Sequence, residues 1–458
     1  MEIHAIRTEG LGDTSYVLSH DGVAVVVDPQ RDIDRFETAV EATGADPRFV
    51  LETHVHNDYI SGGRDLARRL GAELVFPSAA APVFRHRPAF HYEDIEGGPL
   101  VVRPIHTPGH TPEHTSYLIL VEGEPYAVFS GGSLLVGSAG RSDLLGLERA
   151  DTLVRLQYAS VRRLASLPDD VGLYPTHGSG SFCTASSAGG YTSTIGAEKR
   201  TNPVLSYPDE DSFAAAQLSG LVPYPAYYRH MGPSNLLGPP AATEFSVPTL
   251  SADAYSQIAG EVSVVDARPK TEFAAGHLPG SLGIELRDDF GVWVGWVLPF
   301  NAPLVLVLNP AQDVEEALRQ LVRIGFDDVR GVVTDLPDWQ RPLASFRSVG
   351  VEEFAQAAAS GVQLLDVRAP NEWETGTLPG SVLAYTPDVV QATPEDLIRE
   401  EPVWLVCESG YRATIAASAL EQRGFDPVVL HGAGVPDVLR ALKDLGLGVD
   451  NTSPAEIG

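Results

Sequence analysis

Cysteine is nearly absent from this chain: 458 residues contain Cys183 and Cys407 and no others. Two thiols so far apart argue against a disulfide framework and read as free thiols, which suits a reducing compartment. Lysine is almost as scarce, with Lys199, Lys270 and Lys443 alone, so the basic residues are nearly all arginine. Acidic residues outnumber basic ones 61 to 32, and the formal charge is −29. So anionic a surface argues against nucleic acid as a main partner. It reads as a solvated acidic surface. No apolar run reaches the length needed to span a membrane. The N-terminal segment Met1 to Arg7 lacks the basic-then-apolar pattern of a signal peptide. The expectation is a cytoplasmic protein with no membrane partner, and the length suggests about three domains.

What is present is unevenly placed. Ten of the thirteen histidines precede residue 180. The same region alternates β-like runs (Val23 to Val27, Leu100 to Val102, Tyr117 to Val121, Tyr126 to Phe129) with helical ones (Arg31 to Thr43, Gly63 to Leu70, Asp151 to Ala165). That alternation predicts an α/β layered domain. Within it, Thr53-His54-Val55-His56-Asn57-Asp58-Tyr59 follows the apolar stretch Phe49-Val50-Leu51. In an extended segment residues i and i+2 point the same way, so His54 and His56 can aim at one point and Asp58 can join them. A Pro-rich stretch, Val222 to Pro248, reads as a connector.

The remainder is a tandem repeat. Val265-Asp266-Ala267-Arg268 with Gly276-His277-Leu278-Pro279-Gly280-Ser281 recurs 100 residues later as Leu365-Asp366-Val367-Arg368 with Gly376-Thr377-Leu378-Pro379-Gly380-Ser381. Strands such as Leu304 to Leu308 and Val403 to Val406 each run into a helix. In the second repeat the strand ends at Cys407-Glu408-Ser409-Gly410-Tyr411-Arg412. A cysteine at a strand end, followed by a Gly-containing loop and a helix N-terminus, suits an anion. Arg412 adds a full positive charge, and all three features favour the nucleophilic thiolate. In the first repeat the corresponding positions are Leu308 and Asp313, which can neither carry sulfur nor attract an anion. Trp293 and Trp296 read as core packing, with an interface role as the alternative.

Two resemblances follow. The His54 to Tyr59 run resembles the metallo-β-lactamase signature His-x-His-x-Asp-His, with Tyr59 in the last position. Segments 107–114, 129–134, 140–143 and 175–178 follow in that superfamily's order. The closer resemblance is to persulfide dioxygenases, carried by Val27 to Asp34, Gly140-Arg141-Ser142-Asp143, Ser193 to Gly196 and Glu198 to Pro203. It implies mononuclear Fe(II) held by His54, His110 and an aspartate, at whose position stands Gly132. His54, His56 and His110 remain as candidate ligands for iron, with zinc the other possible metal. Asp58, Tyr59, Asp143 and His177 are candidates for the outer shell or for a substitute ligand. Cys183, Lys199 and Arg200 are candidate substrate contacts.

The Cys407 to Arg412 loop resembles that of rhodaneses, which carry sulfane sulfur as a cysteine persulfide. Its four intervening residues, Glu408, Ser409, Gly410 and Tyr411, favour sulfur over the phosphate chemistry of related, longer loops. The whole chain thus resembles bacterial persulfide dioxygenase–rhodanese fusions. The expected fold is a metallo-β-lactamase αββα sandwich over 1–245, an inactive rhodanese-like α/β domain over 246–345 and an active one over 346–458. The resemblance implies oxidation of a low-molecular-weight persulfide to sulfite with O₂. It also implies sulfur transfer among thiols, sulfite and thiosulfate, in a homo-oligomeric dimer or tetramer. The alternatives are a metal-free scaffold with sulfurtransferase or sulfur-carrier activity alone, and a mononuclear zinc thioester hydrolase.

Overall fold

The computed structural model describes residues 1–185, 190–219, 221–242, 245–334, 336, 339 and 341–447. The end of the third expected domain, 448–458, lies outside them. The chain divides into two compact units: Met1–Phe245 with Leu318–Asp327, and Ser246–Ala317 with Asp328–Gly458. No helix among the described residues is long and apolar enough to cross a membrane.

The first unit is built on valine-rich strands buried on both faces, which demands cover on both sides. One six-stranded sheet follows chain order: Glu2–Thr8, Asp13–His20, Val23–Val27, Asp46–Leu51, Glu73–Pro77 and Arg87–Ala89. The other runs Ser193–Thr194, Gly172–Pro175, Glu124–Gly131, Thr115–Val121, Leu100–His106 and Ile95–Glu96. Period-two alternation divides each strand between two cores. Val25 and Val27 join Tyr16, Phe49, Leu51, Tyr117 and Phe129 between the sheets. Ala24 and Val26 face Phe36, Val40 and Leu66 of the helices Asp34–Thr43 and Gly63–Leu70. On the far side, Leu118, Leu120 and Val128 pack on Val154, Val161 and Leu164 of the helix Leu147–Ala165. The result is an αββα sandwich.

The expected connector carries structure of its own. A helix, Tyr228–Leu237, forms there despite Pro233. Its buried residues Tyr228, Met231, Gly232 and Asn235 recur at helical spacing, and that anchored face outweighs the proline.

The second unit holds two parallel sheets of matching order. The first runs Leu282–Gly283, Ser263–Asp266, Leu304–Val307, Val329–Val333. The second runs Val382–Leu383, Gln363–Asp366, Val403–Val406, Pro427–Leu430, Arg347–Val349. The repeated Asp-x-Arg motif has a physical purpose. Arg268 Nη2 donates to Asp266 (2.6 Å) and to the Gly276 carbonyl (2.7 Å). Arg368 does the same with Asp366 (2.6 Å) and Gly376 (2.7 Å). Each buried ion pair ties a strand end to the loop that follows. The repeats also bind each other: His277 Nε2 lies 2.7 Å from Glu421, and the Gly283 amide donates to Ser418. Trp293 and Trp296 stand edge-on to Tyr411 and Tyr385 of the second repeat, so they pack between the repeats rather than within the first.

Candidate metal centre and thiol loop

Five buried histidines of the first unit, His54, His56, His110, His114 and His177, gather near strand ends. Asp28 follows Val23–Val27, His54 and His56 follow Asp46–Leu51, Gly132 follows Glu124–Gly131, and His177 follows Gly172–Pro175. The strand ends at Leu51, so His54 and His56 leave on a loop and not in the extended geometry expected. Their rings lie 4.1 Å apart but tilted by 53°, and their nitrogens take different partners.

His54 Nε2 lies 3.3 Å from His177 Nε2. Ring centroids are 4.9 Å apart for His54 and His110, 5.3 Å for His54 and His177, and 5.1 Å for His110 and His177. Each Nδ1 has its own anchor at 2.8 Å: Thr53 Oγ1 for His54, the Arg141 carbonyl for His110, and Asp13 Oδ1 for His177. A carbonyl only accepts, so His110 Nδ1 carries the proton and its Nε2 offers a lone pair. That Nε2 is buried and has no partner among the described residues. Thr53 Oγ1 donates to Asp28 Oδ2 (2.7 Å), so it accepts from His54 Nδ1, which leaves His54 Nε2 with its lone pair facing His177 Nε2.

His56 behaves differently. Its Nε2 sits 3.3 Å from Asp28 Oδ1, 3.2 Å from Glu52 Oε2 and 3.0 Å from the Tyr59 hydroxyl. Its ring stacks on Tyr59 at 4.3 Å. Burial opposes charge on every imidazole here. It holds His54, His110 and His114 well below the ordinary histidine range, with neighbouring imidazoles adding to the effect, and it lowers His177. On His56 the Asp28 and Glu52 carboxylates outweigh burial and raise it well above that range. Burial also pushes Asp13 and Asp58 up to about 7, and in Asp58 the facing Asp13 carboxylate adds to it.

Among the described residues, three groupings place potential ligand atoms within 4.8 Å of one another: His54, His110 and His177; Asp28, His54 and His56; His56, Asp58 and His177. Buried imidazole nitrogens that converge with at least one lone pair unpartnered, that of His110, suit a positive charge between them. Anchored Nδ1 atoms are the usual support of ligating histidines. The residues present therefore fit a divalent metal.

The remaining candidates take other roles. Asp143 gives both oxygens to Arg141 at 2.7 Å, so it holds the residue whose carbonyl orients His110 and is not available as a ligand. Cys183 is fully buried, and burial pushes its thiol well up. Lys199 bonds Asp169 (2.6 Å) and the Leu167 carbonyl (2.8 Å), while Arg200 is exposed. A Cβ on Gly132 would start 2.2 Å from His110 Cδ2. The imidazole occupies the space where a side chain at 132 would stand.

Spacing in the sequence did not expose the supporting residues. Asp28, with φ of 52°, binds the Thr53 amide and hydroxyl, Thr176 and His56. The Gly132 amide donates to His114 Nε2 at 2.9 Å. Asn235 donates to the His56 and Tyr59 carbonyls and accepts from the Ser61 amide. A non-glycine residue in the left-handed region beside a site is a known place for stored strain, but nothing in the letter Asp announces it.

In the second unit, Cys407 ends the strand Val403–Val406 and is buried. The Gly410 amide donates to its Sγ at 3.1 Å. Gly410 has φ of +90°, and a Cβ there would meet the Leu430 carbonyl at 2.6 Å, so only glycine fits this turn. The helix Tyr411–Gln422 starts at the loop and aims its positive end there. Arg412 is held by Glu372 through both carboxylate oxygens. The first repeat fills its own loop. Gln312 folds back, accepting from the Asn309 amide (2.7 Å) and donating to the Ala267 carbonyl (2.8 Å). Leu308 is buried, and Asp313 accepts from the Glu316 amide like a helix cap.

Residues 9–177 match the metallo-beta-lactamase superfamily, and 251–342 and 351–439 each match the rhodanese-like domain. A probable metallo-hydrolase of Burkholderia pseudomallei is 30% identical over 209 residues, 40% of this chain and 68% of that protein. The chain belongs to the metallo-beta-lactamase superfamily. Two rhodanese-like domains follow its metallo-beta-lactamase fold. A hydroxyacylglutathione hydrolase of Francisella philomiragia is 28% identical over 170 residues, 36% of this chain and 63% of that relative, so the match spans less than two thirds of the latter. The crystal structure of a metallo-beta-lactamase from Staphylococcus aureus superposes with a TM-score of 0.66 at 28% identity, covering 73% of this superfamily member and 99% of that chain.

Proposed function

We propose that this protein is an enzyme of sulfur metabolism that carries sulfane sulfur on Cys407 and oxidises a persulfide at the metal centre of its first domain. The observation that carries the reading is the Gly410 amide 3.1 Å from Cys407 Sγ, in a loop that Arg412 flanks and a helix N-terminus faces. Cys407 as thiolate attacks the outer sulfur of thiosulfate. The S–S bond breaks, sulfite leaves with the electron pair, and a Cys407 persulfide anion remains in the cradle. An acceptor thiolate or cyanide then takes the outer sulfur and returns the thiolate. Loop amides and Arg412 stabilise the anion throughout.

In the first domain, His54, His110 and His177 present nitrogens that would hold a divalent metal, which when bound supplies positive charge for O₂ and an anionic sulfur. The protein's own part is to keep the ligand nitrogens bare, through Thr53, the Arg141 carbonyl and Asp13. A second reading, a metal-dependent thioester hydrolase, is favoured by the likeness to the Francisella hydrolase.

Cys407→Ala is expected to abolish thiosulfate:cyanide sulfurtransfer, and retained activity would refute the thiolate assignment. Oxygen uptake with glutathione persulfide, set against hydrolysis of S-lactoylglutathione, decides between the two readings of the first domain.

A further inference from the structure

We infer that the metal is held by three neutral imidazoles, His54, His110 and His177, and that His56 stands outside the ligand set. This rests on the reading that the first domain binds a divalent metal. The three rings form a nearly equilateral triangle, with centroid separations of 4.9, 5.1 and 5.3 Å. The Nε2 atoms of His54 and His177 lie 3.3 Å apart. Two imidazole nitrogens at ~2.05 Å from a tetrahedral ion would be separated by about 3.3 Å. In each ring the Nδ1 is anchored, so the Nε2 is the atom left to bind. His56 has turned its Nε2 to Asp28, Glu52 and Tyr59 instead. Its Nδ1 and both Asp58 oxygens are buried without a partner among the described residues and are the rival ligands, His56 being the one the cysteine variants address.

Two departures from the superfamily signature explain the arrangement together. Glycine at 132 vacates the space that the His110 ring occupies, since a Cβ there would lie 2.2 Å from its Cδ2. Tyr59 stacks on His56 and places its hydroxyl 3.0 Å from Nε2, which draws that ring toward the carboxylates. His177, bound through Nδ1 to Asp13, then takes the place of the missing carboxylate. A neutral ligand set supplies no anionic donor atom of its own to a divalent ion. It therefore selects an anionic fourth ligand, such as a persulfide or thiolate sulfur, over a neutral thioester carbonyl.

The experiment is cobalt titration of the metal-free, full-length protein and two cysteine variants. The wild type is expected to bind one equivalent of Co(II). His177→Cys is expected to add the intense near-ultraviolet sulfur-to-cobalt band, and His56→Cys to bind cobalt without it. The band in His56→Cys and not in His177→Cys overturns the ligand set while leaving the metal intact. A wild type that binds no cobalt overturns both readings. If His177→Cys does not fold, Asp13→Asn serves: it removes the carboxylate charge behind His177 and should weaken cobalt about 10- to 100-fold. Unchanged affinity in that variant sinks the inference.

Discussion

At the scale of single residues, Gly132 carries more consequence than any other departure from the superfamily pattern. Read in sequence, it is the loss of a ligand. In the structure it is also a vacancy already taken, because the His110 ring lies where a side chain would start. Restoring the aspartate should therefore not restore a carboxylate ligand. Gly132→Asp is expected to overpack the pocket at a cost of about 1–3 kcal/mol. The melting temperature should fall, with no gain in bound metal by elemental analysis. A more stable variant with higher metal content would show that the ring has room to retreat.

At the scale of elements, the two repeats use one loop for opposite ends. Both place a strand end, a tight turn and a helix start in sequence, and both keep an acidic residue at the same register. Glu372 grips Arg412, whereas Glu272 accepts from Asn309 at 2.9 Å. The difference lies in what fills the turn: an anchored sulfur in one, the Gln312 side chain in the other. Gly410→Ala tests the cradle without touching the sulfur. It forces a β-carbon into a left-handed turn against the Leu430 carbonyl, and such strain costs on the order of 1–3 kcal/mol. The expected outcome is a folded domain by circular dichroism, with sulfurtransfer reduced at least tenfold. Full activity would mean the loop amides do not set the sulfur's reactivity.

At the scale of the whole molecule, the net charge of −29 works against compaction. Many arginines are engaged locally, as in Arg103 with Asp94 and Arg155 with Asp211, yet 29 negative charges remain in excess. Salt shortens the reach of that repulsion, from a Debye length of about 10 Å at 0.1 M to about 3 Å at 1 M. The melting temperature should rise between 0.1 and 1 M sodium chloride and then level off. A fall over that range would show that exposed ion pairs contribute more than the excess charge removes.

The sequence by itself determined the domain order and most of the elements, because those follow from local pattern; the helix Tyr228–Leu237 inside the Pro-rich stretch did not show. Continuous valine-rich runs such as Val23 to Val27 made double-sided strands, the 100-residue offset marked the repeats, and Cys407 to Arg412 announced its anion cradle within six residues. Such features depend on neighbours in the chain, so the chain displays them. The metal pocket is different. His54 and His56 are two residues apart and their rings lie 4.1 Å apart, but the strand ends at Leu51 and their nitrogens take different partners. Which imidazole meets which was decided by groups 28 to 164 residues away: Arg141 behind His110, Asp13 behind His177, and Asp28 beside His56. The same holds for Trp293 and Trp296, which meet Tyr411 and Tyr385 of the other repeat. Side chains that converge from the ends of different strands are placed by the packing of two sheets, and only the tertiary structure carries that information.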